Sequence, residues 1–189
     1  MVLVGLIRFV HSCSHGAVSN SEDYLLVRFF LIMFDYHSFR PIRDSDLKAM
    51  LSLLPQLSDF NVPYRRNPED LWRSDKNLLV KVAKNQAVDS FSEVLIDAYD
   101  KPIGLILVTL RGELLSLEPS AHLEAIVVAP ELRGKGLGAA LLRHAEMKSQ
   151  QKGARTLTLH VFSNNTRARG LYQKFGYDSE LIRAIKWLD

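Results

Sequence analysis

The stretch Ile126-Val127-Val128-Ala129-Pro130-Glu131-Leu132-Arg133-Gly134-Lys135-Gly136-Leu137-Gly138 constrains this chain more than any other. An apolar run closed by a proline reads as a buried strand, and a glycine-rich turn follows it. Leu137, Ala140, Leu141 and Ala145 then share one face of a helix expected over 136–151, which Gly153 stops. A strand feeding a helix through so tight a turn forces helix onto sheet. The arrangement also has a chemical consequence. Glycines let the backbone approach a ligand closely and reach dihedrals closed to other residues. The first turn of a helix leaves N–H groups without internal acceptors, and the helix dipole favours an anion there. Arg133 and Lys135 add positive charge, so a pyrophosphate suits the site. Two other phosphate loops are excluded. No Lys-Ser/Thr pair follows the last glycine, as a Walker loop requires. The glycines at 134, 136 and 138 miss the dinucleotide spacing, and no strand-helix-strand repeat precedes them.

The rest of the chain builds a sheet around this unit. Residues 39–43 read as an edge strand, where Pro41 is tolerated. Asp44-Ser45-Asp46 offers an N-cap for a helix over about 45–57, with Leu47, Met50, Leu51, Leu54 and Leu57 at helical spacing. Pro68-Glu69-Asp70 starts a second helix, whose apolar face carries Leu71, Leu78, Leu79 and Val82. Strands are expected over 91–99, 103–110 and 122–128, with a turn at Asp100-Lys101-Pro102 and a looser stretch around Pro119. Residues 154–162 alternate, Leu157, Leu159 and Val161 against Thr156, Thr158 and His160. A short helix over 165–175 ends at Gly176, and 182–188 reads as a last strand. The order indicates a mixed α/β or α+β domain with one central sheet.

Composition narrows the function classes. The chain has 189 residues, 47% hydrophobic and 24% charged, which is ordinary for a soluble protein. At this length a single domain buries roughly 70% of its unfolded surface, so it needs neither disulfide nor structural metal. The net charge of +3 suits a phosphorylated ligand but does not argue for nucleic acid. Cys13 is the one cysteine, and no Cys/His cluster has zinc-ligand spacing, so no metal is expected. Residues 1–37 read as an extension of different character from the domain at 38–189. Val2 to Ile7 is too short and lacks the basic lead of a signal peptide. Tyr24 to Phe34, broken by Arg28, falls short of the roughly 20 residues that cross a bilayer. The expectation is a cytoplasmic chain without membrane contact, and Met33 offers an alternative start.

Two motifs together carry a resemblance. Arg133-x-x-Gly136-x-Gly138 after Val-x-Pro-Glu resembles the acetyl-CoA signature of the GNAT superfamily, the GCN5-related N-acetyltransferases. Asn165-x-x-Ala168-x-x-Leu171-Tyr172-x-Lys174-x-Gly176-Tyr177 is similar to that family's later motif. The two cover about residues 120–178, and the strand order fits from about 39 to 189. Residues 1–37 lie outside the resemblance.

The resemblance implies a GNAT fold, a mostly antiparallel sheet splayed between two strands and flanked by helices. It implies acetyl-CoA in the splay, its pyrophosphate on backbone N–H groups of Arg133, Gly134, Lys135, Gly136, Leu137, Gly138 and Ala139. The pantetheine arm would run beside Ile126, Val127 and Val128, with Asn165, Ala168 and Tyr172 on the facing side. An acceptor amine would then attack the thioester directly. The attacking amine must be neutral, so a group must accept its proton. Glu124 stands where the family often carries such a carboxylate; His122 and His160 are rivals for that role. Tyr172 is the implied general acid toward the departing sulfur. Asn165 would bind the pantetheine or cap its helix, and Arg167, Arg169 and Lys174 would meet a phosphate or simply be solvated. The acceptor is a small-molecule amine or an amine on a protein or peptide, and Asp59, Tyr64, Glu69, Asp70 and Trp72 are expected around it. Two other readings stay open: an acyl-CoA-binding module without catalysis, and a toxin of this fold that acetylates aminoacyl-tRNA. Dimers are common in the family, so a homodimer fits as well.

Overall fold

Five strands form one sheet in the order β1 (Ser38–Pro41), β2 (Ser90–Ile96), β3 (Pro102–Gly112), β4 (Pro119–Val128) and β5 (Thr156–Leu159). The computed structural model describes residues 38–188. The expectations placed on residues 1–37, Cys13 among them, lie outside the described residues. Neighbouring strands are antiparallel except β4 and β5, which run parallel. A parallel pair needs a crossover, and helix α3 (Leu137–Gln151) supplies it. Helices α1 (Leu47–Leu53) and α2 (Arg73–Ala83) lie between β1 and β2 in the chain, and α4 (Thr166–Lys174) follows β5. The expected sheet flanked by helices is therefore observed. Among the described residues no helix is long and apolar enough to cross a membrane.

The strongly apolar β3 is explained by burial on both faces. Ile106 and Val108 join Leu95, Ala121, Leu123, Leu137, Leu141 and Leu142 in a core beneath α3. Leu105 and Leu107 join Met50, Leu54, Leu79, Val94, Ala125 and Val127 in a second core beneath α1 and α2. Gly104 sets how closely β3 and β4 meet, because a Cβ there would stand 2.7 Å from the Val127 carbonyl oxygen.

The register of β4 contains one extra residue. Leu107 pairs with Ala125 and Val108 with Leu123, so Glu124 is left over as a β-bulge. Side chains of a regular strand alternate between faces. Here Leu123 belongs to the α3 core and Ala125 to the opposite one, two residues apart yet on opposite faces. Nothing in the Leu123-Glu124-Ala125-Ile126 run announces this exchange.

Several expected elements change. The first helix is α-helical only over Leu47–Leu53, with 3-10 turns at Asp44–Asp46 and Leu54–Ser58, the second holding Pro55 in its first turn. Asp46 does not cap that helix forward; it accepts from the Arg43 backbone N–H at 2.8 Å and pairs with Arg40 at 2.6 Å. The second helix opens with a 3-10 turn, Pro68–Leu71, and its α-helical part begins at Arg73. The stretch at Pro119 is the start of β4. The alternating run of 154–162 is a strand only over Thr156–Leu159, the part that meets β4. The last strand expected at 182–188 is not formed. Ile182 is 93% and Leu188 90% exposed, and among the described residues no strand offers this segment a ladder. Trp187 instead meets the guanidinium groups of Arg65 and Arg66, at 5.8 and 5.3 Å from its ring centroid.

Candidate active site

β4 and β5 pair only from Ser120–Thr156 to Leu123–Leu159. Beyond Leu123, β4 continues five residues with no strand on that side among the described residues, and a cleft of about 430 Å³ opens there. Its walls come from several elements between Gln56 and Tyr172. β4 contributes Leu123 to Val128, the turn into α3 contributes Arg133, Gly134 and Gly136 to Ala139, and α4 contributes Ala168, Leu171 and Tyr172. Gln56, Leu57 and Phe60 approach from the segment after α1, and Leu71 and Asp75 from around α2.

At one end lies the glycine turn. Gly134 and Gly136 have φ of 78° and 81°, a region that favours glycine, and Gly136 caps α3. The first intrahelical acceptance at this end is Ala140 N–H to the Gly136 carbonyl, at 3.1 Å. The N–H groups of Leu137, Gly138 and Ala139 are therefore the helix-start donors, and all three residues line the cleft. The unpaired edge of Ile126 to Val128 leads from this end toward the bulge. The backbone thus provides an anion cradle and a strand edge in one continuous groove, the two features a nucleotide diphosphate with an extended amide-bearing arm requires.

The cations of the turn are not both directed at this cradle. Arg133 donates to Asp59 at 2.5 Å and to the Gln56 side-chain oxygen at 2.9 Å. Arg167 reaches the same Asp59 carboxylate at 3.5 Å, and Lys135 is not among the lining residues. Asp59 is held below the usual carboxylate range by Arg133. With the Asn164 side chain donating to the Asn61 carbonyl and Phe60 packed on Phe162 at 5.3 Å, these contacts strap the 56–61 segment across the mouth. Asn165 caps α4, accepting from Ala168 N–H at 3.2 Å, while also lining the cleft. Arg169 is turned to the Ser163 carbonyl at 2.8 Å.

At the other end the ionisable groups gather. Glu124, on the bulge, lines the cleft. Asp75 faces the same space, is 8% exposed, and is pushed up to about 6 by burial and by the charge of Glu124. Tyr172 is pushed up to about 12 by burial, so its phenol is a protonated donor at neutral pH. His122 does not line the cleft. It is buried, its Nδ1 lies 2.7 Å from Arg111 and 2.8 Å from Thr158 Oγ1, and burial with Arg111 pushes it down to about 4. A neutral, doubly engaged imidazole is a structural group. His160 lines the cleft, 4.6 Å from the His122 ring.

The residues expected around the acceptor are elsewhere. Asp59 is bound to the two arginines, Tyr64 is 93% exposed, and Glu69 and Asp70 pair with Arg73 at 4.0 and 2.7 Å. None of these, nor Trp72, lines the cleft; Trp72 packs against the core beneath α1 and α2. Asp75 is the residue that sequence reasoning missed. Its signal was present: Leu71, Asp75, Leu78, Leu79 and Val82 share helical spacing, so Asp75 is an acid on an apolar face.

Comparison with known proteins gives the same direction. The profile of the acetyltransferase (GNAT) family matches residues 53–177. N-acetyltransferase YhfO of Bacillus subtilis, itself uncharacterized, is 27% identical over 143 residues, 76% of this chain and 91% of that protein. The peptidyl-lysine N-acetyltransferase YjaB of Salmonella typhimurium is 34% identical over 84 residues, 44% of this chain. A ribosomal protein bS18-alanine N-acetyltransferase of Escherichia coli is 38% identical over 63 residues, 33% of this chain. The chain spans only 48% and 43% of the length of these last two relatives. Among solved structures, AAC(6')-Iy in complex with a bisubstrate analog superposes with a TM-score of 0.60 at 22% identity, covering 81% of this chain and 97% of that one. Glucosamine-6-phosphate N-acetyltransferase from Arabidopsis thaliana gives 0.56 at 20% identity, covering 81% and 99%. At such identities the structural likeness speaks for the fold, and the profile match over 53–177 speaks for descent: the chain belongs to the acetyltransferase (GNAT) family.

Proposed function

We propose that this chain transfers an acetyl group from acetyl-CoA to a primary amine by direct attack on the thioester. The observation that carries the reading is the continuity of one cleft, from the α3 N terminus along the unpaired edge of β4 to Glu124 and Tyr172. The N–H groups of Leu137, Gly138 and Ala139 would take the diphosphate, and the backbone of Ile126 to Val128 would pair with the pantetheine amides as an added strand. Asn165 and Ala168 would hold the facing side.

An ammonium has no lone pair, so the acceptor first gives one proton to the Glu124 carboxylate, which passes it to solvent. The neutral nitrogen then adds to the thioester carbon, the new N–C bond forms, and the C–S bond breaks. Tyr172 donates its phenolic proton to the leaving sulfur and regains one from the proton that the nitrogen sheds. Overall an ammonium and a thioester become an amide, a thiol and one released proton. Relatives named for peptidyl-lysine and for the alanine of a ribosomal protein make polypeptide amines the first acceptors to try.

The test is acceptor-dependent thiol release from acetyl-CoA across small amines, lysine peptides and peptides with a free N-terminal alanine, with mass spectrometry of each acceptor. Release coupled to one acetyl group gained is the expected result. Tight coenzyme A binding with no release for any amine would instead favour a binding module.

A further inference from the structure

Three acids are buried among the described residues: Asp46 at 5%, Glu93 at 7% and Asp75 at 8% exposure. A buried carboxylate is costly unless a cation or several donors compensate it. Asp46 has Arg40 at 2.6 Å. Glu93 has Lys148 at 3.1 Å and the ring of His144. Asp75 has neither. Its one hydrogen bond among the described residues comes from Ser74 Oγ at 3.4 Å, the outer limit of such a contact. It faces a second carboxylate, Glu124, across the cleft. Two acids converge there with no counter-charge among the described residues, and the cleft is open to a ligand that supplies one.

The walls beside them define the shape of that ligand. Leu71, four residues before Asp75, lines the cleft together with Leu57 and Phe60. An apolar wall with acids beside it suits methylenes that end in an ammonium, as on a lysine side chain. It does not suit a hydroxyl-rich ring, whose polar groups would be buried against hydrocarbon. An N-terminal α-amine carries a peptide group one carbon away and would press that group on the same wall.

We propose that Asp75, together with Glu124, forms the ammonium-binding end of an acceptor site for a linear aliphatic primary amine. The inference rests on the acetyl-transfer reading only for which amine is consumed; the ammonium site itself is testable by binding. Asp75 stays ionised beside the cation and positions it, while Glu124, on the bulge, takes the proton. The titratable groups facing Asp75 along the cleft are Glu124 from β4, His160 after β5 and Tyr172 from α4. Arg133 and Arg167 at the mouth are engaged by Asp59.

Nα-acetyl-lysine N-methylamide, which has one ammonium on an aliphatic stem, is the probe. Its binding is measured by calorimetry in the presence of coenzyme A, for the unaltered protein and Asp75→Asn. Loss of a charged partner should weaken binding about tenfold or more in the variant. Binding to the unaltered protein should tighten from about pH 5 to about pH 7, as Asp75 with its pKa near 6 ionises, and that dependence should flatten in the variant. Equal binding in the two proteins, or undiminished pH dependence in Asp75→Asn, overturns the proposal. If a peptide with a free N-terminal alanine and no lysine supports thiol release while the probe does not bind, the ammonium site fails and acetyl transfer stands. If the probe binds through Asp75 and no amine supports release, the site stands and acetyl transfer fails.

Discussion

Replacing Asp75 by asparagine should make the protein more stable at neutral pH and leave it unchanged in acid. The carboxyl carries an ordinary value of 3.8 in the unfolded chain and about 6 in the fold. The folded value is raised, so between these limits the native state binds more protons than the unfolded state, and stability falls as pH rises. The interval corresponds to ~3 kcal/mol if the site were dry. The cleft is open at its mouth, so solvent screens part of this, and ~1–2 kcal/mol is the working figure. Asparagine has nearly the same shape, keeps the acceptor for Ser74 and carries no charge, so it leaves neither a cavity nor an ion.

Thermal or urea denaturation of both proteins from about pH 3 to pH 8 tests this. The two should coincide below about pH 4, diverge up to about pH 6 and stay apart above about pH 7, where Asp75→Asn should melt roughly 3–6 °C higher. Burial is the largest cause of the raised value and Glu124 the next. In a Glu124→Gln background the gain should therefore shrink without vanishing, which a double-mutant cycle reads directly. A gain independent of pH, or a loss of stability at pH 7, would falsify the account of Asp75 as a buried carboxylate without a cation.

Three further outcomes follow from the same geometry. Tyr172→Phe should lower turnover about tenfold or more with coenzyme A affinity retained, as steady-state kinetics and calorimetry would show; unchanged turnover removes Tyr172 from the acid role. Glu124→Gln should slow acetyl transfer most at low pH, where few acceptor amines are already neutral; a deficit equal at every pH would point to water or His160 as the base. Gly104→Ala should destabilise by ~1–3 kcal/mol, because the added Cβ would meet the Val127 carbonyl at 2.7 Å, and a variant as stable as the parent in urea would show that β3 and β4 can part there freely.

Much of the fold was legible because burial and turn chemistry leave local marks. A strand within the alternating run of 154–162, the strongly apolar β3 and the helix stops at Gly153 and Gly176 read from spacing and turn residues. The glycine turn and the start of α3 read well for the same reason, since both are local properties. What failed was non-local. Asp59 looked like an acceptor-pocket acid, but its partners, Arg133 and Arg167, lie over seventy residues away and draw it to the mouth. The segment 182–188 has the residues of a strand, yet a strand exists only where another edge receives it. Asp75 was overlooked because what marks it, burial in one cleft with Glu124, is a non-local property.

The bulge connects these failures to function. If Glu124 took a place in a regular ladder, Leu123 and Ala125 would point to one face, and either the α3 core or the core under α1 and α2 would lose a member. With the bulge, both cores are filled, and the residue that belongs to neither is an acid. The bulge also falls where β5 stops pairing with β4, so the left-over side chain stands where the two strands begin to part. A bulge bends its strand and re-aims a side chain; here it brings Glu124 to the same cleft as Asp75, and the raised value of Asp75 is partly the electrostatic record of that approach. It follows that deletion of Glu124, which makes Leu123 and Ala125 consecutive and so keeps them on opposite faces, should leave both cores filled and the fold intact while removing the acid, as Glu124→Gln does. Circular dichroism and urea midpoints on the two variants test this, and a deletion variant far less stable than the parent would show that the packing of β4 depends on the extra residue.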